Sequence, residues 1–153
     1  MAVSTELVKQ LRQETKARII DCKKALEEAK GDLTLARKYV QEKGLARAEK
    51  NTDREAGMGY IASYTHATGK IASLLELLCE TDFVAANEEF LDLAKNLAMQ
   101  VAAMDPQSKD DFLAQDFIRG EQNVEKTIKA LSGKIGEKIV LGRFVRFEVA
   151  EKE

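Results

Sequence analysis

The chain has 153 residues, 44% of them hydrophobic and 33% charged, with 24 Lys/Arg against 26 Asp/Glu and a formal charge of −2. That balance suits one folded domain or two small ones and argues against disorder, while a single proline argues against an all-β fold. The charge is uneven, since residues 1–50 carry 12 Lys/Arg and 8 Asp/Glu, which favours steering toward an acidic protein surface, but a pI of about 5.6 lacks the basic footprint of a nucleic-acid binder.

Residues 4–44 read as three short helices. Ser4 or Thr5 can cap the first, and Leu7, Val8 and Leu11 then share one face. Thr15 to Arg18 breaks the pattern. Ile19, Cys22, Leu26 and Ala29 form the next apolar face, which stops at Lys30-Gly31, a cation and then a glycine suited to the left-handed position past a helix end. Asp32 can cap a third helix, in which Leu33, Ala36 and Val40 repeat the spacing and Gly44 closes it. The predicted units are a three-helix module over 1–45, a charged connector over 46–57, which can be helical, and an α+β core over 58–150.

In the core, Met58 to Thr65 and Lys70 to Cys79 are strand-like, and the gap His66-Ala67-Thr68-Gly69 suits a hairpin. A helix over about 86–104 buries Phe90, Leu93, Ala94, Leu97, Val101 and Met104 and ends at Asp105-Pro106. Another over about 121–135 carries Val124, Ile128, Leu131 and Ile135. A last strand, Ile139 to Val149, places Val145, Phe147 and Val149 on one side and Arg146 and Glu148 on the other. The predicted fold class is α+β: an N-terminal three-helix bundle, then a small antiparallel three-stranded sheet packed with helices.

Enzyme chemistry finds no anchor. The one histidine, His66, sits in a predicted turn without a second group beside it. Neither phosphate-binding glycine motif occurs, nor a GxSxG elbow. Cys22 and Cys79 lack any zinc spacing and read as buried free thiols in a reducing compartment. No catalytic residue, metal site or cofactor is expected. Nothing at the N-terminus resembles a signal peptide, no apolar run approaches the roughly 18 residues of a membrane span, and a cytoplasmic location is expected.

The corner Glu80-Thr81-Asp82-Phe83-Val84-Ala85 joins the second strand to the long helix. Junctions of this kind are normally polar or glycine-rich, yet a carboxylate and a large ring stand together here. Either Thr81 or Asp82 caps the helix and Phe83 fastens the corner into the core, or Phe83 projects as an anchor for another protein.

Several segments carry a family resemblance. The helical head is similar to a ubiquitin-associated domain in helix count and loop lengths. Asp21-Cys22-Lys23-Lys24-Ala25-Leu26 with Gly31-Asp32, Gly69-Lys70-Ile71, Cys79 to Ala85, and Ile135-Gly136-Glu137 with Arg143 to Glu148 together resemble the elongation factor Ts family. The resemblance implies a non-enzymatic guanine-nucleotide exchange factor for the translation GTPase EF-Tu. It implies that Arg12, Ile19 and Ile20 of the head contact a helix of the GTPase's nucleotide domain. Thr81, Asp82, Phe83 and Val84 would reach the magnesium side of the nucleotide pocket, Phe83 wedging between two helices and Asp82 disturbing the magnesium network, so that the ion and then GDP leave. Lys16-Ala17-Arg18 and Ile19-Ile20 stand where the family more usually has Gly-Ala-Gly and Met-Met. The chain looks like a short form with a single core subdomain, which implies a homodimer. The other class of function open to it is an adaptor whose helical head binds some other protein without nucleotide exchange.

Overall fold

The computed structural model describes residues 2–50 and 53–151. Helix α1 (Thr5–Thr15) is capped by Ser4, whose hydroxyl accepts from the Glu6 N–H. It ends at Lys16, whose φ of +53° is left-handed. A lysine therefore holds the conformation that the usual glycine at this position takes without strain. Helix α2 (Ile19–Glu28) ends with Lys30 and Gly31 both at positive φ. The Gly31 N–H donates to the Leu26 carbonyl and the Lys30 N–H to the Glu27 carbonyl, which satisfies carbonyls the helix end would leave bare. Asp32 then accepts from the Leu35 N–H at the start of α3 (Leu33–Lys50). Leu11, Cys22, Ala25, Leu26 and Ala36 are sealed together between these helices.

Helix α3 does not stop at Gly44 as expected but continues to Lys50. The chain stays helical through this glycine, and its carbonyl lies against α7 (Val124–Ile135). A Cβ on Gly133 would run into the Gly44 carbonyl, whereas one on Gly44 would meet nothing, so it is α7 that needs bare backbone where the two helices cross.

Strands β1 (Met58–Thr65), β2 (Ile71–Cys79) and β3 (Val140–Glu148) form one antiparallel sheet in the order β1-β2-β3. The β1–β2 hairpin closes where the sequence places it, with the His66 N–H donating to Ile71 and Gly69 at φ +69°. His66 is exposed, and its Nδ1 lies 3.3 Å from the Tyr64 hydroxyl. Between Leu75 and Leu77 the β2–β3 register shifts by a bulge, and the Glu76 carboxylate folds over Gly142 to accept from the Arg143 N–H at 3.1 Å.

One turn, α4 (Asp82–Ala85), leads into the long α5 (Glu88–Met104), capped by the Asn87 side chain. The sequence reading has only the second of these, over about 86–104. Helices α4 and α5 cover one face of the sheet, burying Phe90, Leu97 and Val101 against Leu75 and Leu77. Helix α6 (Lys109–Ala114) escapes the sequence reading although Ser108-x-x-Asp111 is a capping-box spacing. The Ser108 hydroxyl accepts from Asp111 N–H, the Asp111 carboxylate accepts from Gln107 N–H, and Phe112 is fully buried with its ring edge-on to Phe144 at 5.2 Å. Helix α7 (Val124–Ile135) contributes Val124, Ile128 and Leu131 to the same core and packs against α3.

The alternation predicted for the last strand holds over Val145 to Phe147, and it is Arg146 that faces the helices. Arg146 lies against α5, its Nε donating to the Ala102 carbonyl at 2.9 Å. Val145 and Phe147 point to the uncovered face, where register aligns them with Leu74 and Ala72, and where Ile61 of β1 is also exposed. The sheet therefore buries one side and leaves an apolar strip on the other.

Candidate partner-binding site

The corner between β2 and α5 departs most from what an isolated fold needs. Thr81 is extended (φ −129°, ψ 156°), and its hydroxyl caps α4 by accepting from the Val84 N–H at 3.4 Å. Both readings of the corner thus hold in part: Thr81 is the cap, but Phe83 is not the fastener. Val84 enters the core and is buried, whereas the Phe83 ring is 90% exposed and Asp82 beside it is exposed too. Leaving a Phe side chain in water forgoes about 1.5–3 kcal/mol of burial. A ring held out in this way is available for contact with another molecule.

A four-residue helix cannot hold such a ring by its own hydrogen bonds. The corner is held from α7's end. The Glu137 carboxylate accepts from the Glu80 N–H at 3.2 Å, from the Thr81 N–H at 3.1 Å and from the Thr81 hydroxyl at 2.7 Å. In return the Glu80 carboxylate accepts from the Lys138 N–H at 2.7 Å. Each acid thus satisfies backbone donors on the other's strand of chain. Ser132 adds a hydrogen bond from its hydroxyl to the Glu137 carbonyl. Gly136, at φ +87°, lets α7 turn sharply enough to deliver Glu137 there. Beneath, the Cys79 thiol donates to the Thr81 carbonyl; burial pushes this thiol up, and nearby Glu137 adds to the shift. In the sequence, Ile135-Gly136-Glu137 stands out only through the family resemblance. A contact 56 residues away in the chain leaves no local pattern to read.

The head exposes a second apolar spot. Ile19 and Ile20, in the first turn of α2, are 53% and 65% exposed, and Arg12 is exposed across the Lys16–Arg18 turn at the end of α1. Asp21, the next residue, points inward. Its carboxylate accepts from Arg18 Nε at 2.9 Å and from Arg47 at 3.1 and 3.2 Å. Burial raises the Asp21 pKa, but Arg18 and Arg47 together outweigh it and leave the group below the usual carboxylate range. The structure keeps the Thr81–Val84 group and the Arg12, Ile19, Ile20 group as two distinct surfaces, one on the core and one on the head.

Cys22 and Cys79 are free and buried, and burial pushes the Cys22 thiol up as well. Among the described residues, no group of three or more His, Cys, Asp or Glu side chains stands where it could hold a metal ion. No helix among them is long and apolar enough to cross a membrane.

Comparison with known proteins gives the family. Residues 80–153, from the corner to the end, match the family model for Elongation factor TS. The chain is 45% identical over 151 residues to Elongation factor Ts of Leptospira biflexa, covering 96% of this chain and 76% of that one. It is 44% identical to Elongation factor Ts of Maridesulfovibrio salexigens, covering 96% and 73%. It is 46% identical over 149 residues to Elongation factor Ts of Thermotoga maritima, covering 96% and 75%. Identity at this level across both the head and the core means that the chain belongs to the elongation factor Ts family of translation elongation factors.

Proposed function

We propose that this chain is a guanine-nucleotide exchange factor for EF-Tu, acting in the cytoplasm and catalysing no covalent step. The observation that carries the reading is the exposed Phe83 ring with Asp82 beside it, on a corner clamped by Glu137. A rigid corner can press a ring between elements of a foreign nucleotide pocket, and an adjacent carboxylate competes there with the ligands of a magnesium ion. In this reading Thr81 and Val84 hold the corner, one by its cap and one by its burial, while Phe83 and Asp82 act on the partner. Arg12, Ile19 and Ile20 form the second grip, on the head.

Magnitudes require both grips. Exchange is a coupling between two bound states, so factor and nucleotide weaken each other by the same factor. A 10⁴-fold effect needs about 5.5 kcal/mol of differential affinity, and one buried Phe contributes only about 1.5–3 kcal/mol. The head therefore has to hold the nucleotide-free partner while the corner opens its pocket. We further propose that two copies pair through the uncovered apolar face of the sheet. Release of fluorescent GDP from EF-Tu tests the exchange reading. The chain accelerates release and Phe83→Ala loses most of the effect; binding with no change in rate would replace this reading by the adaptor one.

A further inference from the structure

We propose that Arg47 is a positioning residue that locks the helical head onto the core, so that the head's grip and the Phe83 corner meet the partner as one rigid tool. The proposal rests on the exchange reading and adds to it how the two surfaces are coordinated. Arg47 lies in the part of α3 that extends past the head. Its Nη1 donates to the Gly133 carbonyl on α7 at 2.9 Å, and its Nη2 donates to both Asp21 oxygens. The Asp21 side chain is only 13% exposed, and it directly follows Ile19 and Ile20. The guanidinium thus joins the helix carrying one partner surface to the helix that supports the other.

The path continues on both sides. The crossing at Gly133, whose missing side chain admits the Gly44 carbonyl, sets the distance between α3 and α7. Four residues on from Gly133, Glu137 holds Thr81 and so the corner. Arg54, after α3, donates to the Gly136 carbonyl at 3.3 Å and pairs with Glu80 at 3.5 Å. Beside the Arg47 bridge a cleft of about 300 Å³ opens between Glu14, Val40 and Ala130. Side-chain packing leaves this part of the junction open, and the guanidinium fork braces it beside the α3–α7 crossing. A planar fork with five donors suits that task where a lysine would not.

The mechanical consequence concerns the step after docking. Once the head has bound, insertion of the corner is intramolecular, and its rate depends on how well the linkage pre-aims the second surface. Loosening the head lowers that effective concentration without changing the head's own contact.

The test uses the full chain with Arg47→Ala and, separately, Asp21→Asn. Release of fluorescent GDP from EF-Tu is followed as factor concentration rises. The saturated release rate falls about fivefold in both variants, while the half-saturating concentration stays within about twofold. A variant that is merely partly unfolded would instead shift the half-saturating concentration and keep the plateau. In parallel, spin labels at Lys9→Cys and Lys95→Cys, both exposed positions, report the head-to-core distance, the native thiols being buried. The distance distribution broadens when Arg47 is replaced. An unbroadened distribution, or an unchanged plateau, overturns the proposal. If the parent chain fails to accelerate release at all, the exchange reading falls, and the distance distribution alone then decides whether Arg47 holds the head.

Discussion

Glu137 and Thr81 stand 56 residues apart in the chain, yet the Glu137 carboxylate takes both the backbone N–H and the hydroxyl of Thr81, at 3.1 and 2.7 Å. Thr81 opens the single turn that projects Phe83. The exposed ring therefore owes its direction to a residue beyond the end of α7. Glu137→Ala leaves the Glu80 and Thr81 amides without their acceptor, an effect worth about 1–3 kcal/mol locally. The expected result is faster amide hydrogen exchange at Glu80 and Thr81, and weaker stimulation of GDP release with Phe83 still in place. Unchanged exchange at these amides would remove Glu137 from the account.

The head's surface is tested by charge. Ile19→Asp combined with Ile20→Asp alters two exposed side chains in the first turn of α2, where an acid suits the helix dipole. Thermal unfolding of the chain stays nearly constant. Affinity for EF-Tu falls by about tenfold or more, because two apolar contacts become desolvated carboxylates. Titration calorimetry reads the loss.

The uncovered sheet face makes a prediction about assembly. Phe147 is 73% exposed and sits beside Ala72 in register, with Leu74 and Val145 paired on the next rung and Ile61 exposed on β1. Sedimentation of the native chain gives a dimer. Leu74→Glu with Phe147→Glu gives a folded monomer, since both side chains point away from the helices. A native chain that sediments as a monomer at all concentrations would contradict pairing through this face.

Much of this architecture was legible in the sequence, and the failures have physical causes. The hairpin read clearly because His66 to Gly69 is a turn between two apolar runs. The three helices of the head read clearly because Ser4, Lys30-Gly31 and Asp32 mark their ends. Gly44 misled because a glycine inside a helix and a glycine at its end look alike in the sequence, and the helix runs on past it to Lys50. Helix α6 went unread because it is only six residues long, too short for an apolar period. At the corner, Phe83 could be placed beside Val84 but not turned inward or outward, because residue types do not record direction. The Glu137 clamp and the Arg47 bridge are long-range contacts and had no local signal.

Asp21 gives the account a pH signature. Arg18 and Arg47 hold its carboxyl below its ordinary value despite burial, which acts the other way. Its folded-state pKa is depressed, so its contribution to stability is fully present above the unfolded-state value of about 3.9. That contribution is lost as pH falls through the lower folded-state value. Asp21→Asn lacks the charge at every pH. The stability difference between parent and variant is therefore constant above about pH 5 and shrinks below about pH 4. Urea unfolding across that range checks it, and a difference independent of pH would show that the two arginines do not stabilise the ionised group.

The most direct test of the central claim is the rate at which EF-Tu releases fluorescent GDP at saturating concentrations of this chain and of its Phe83→Ala variant. The account predicts rapid release with the parent and, for a variant that still binds, a rate lower by roughly tenfold to a hundredfold, the equivalent of losing one buried ring. Equal rates for the two proteins would contradict it.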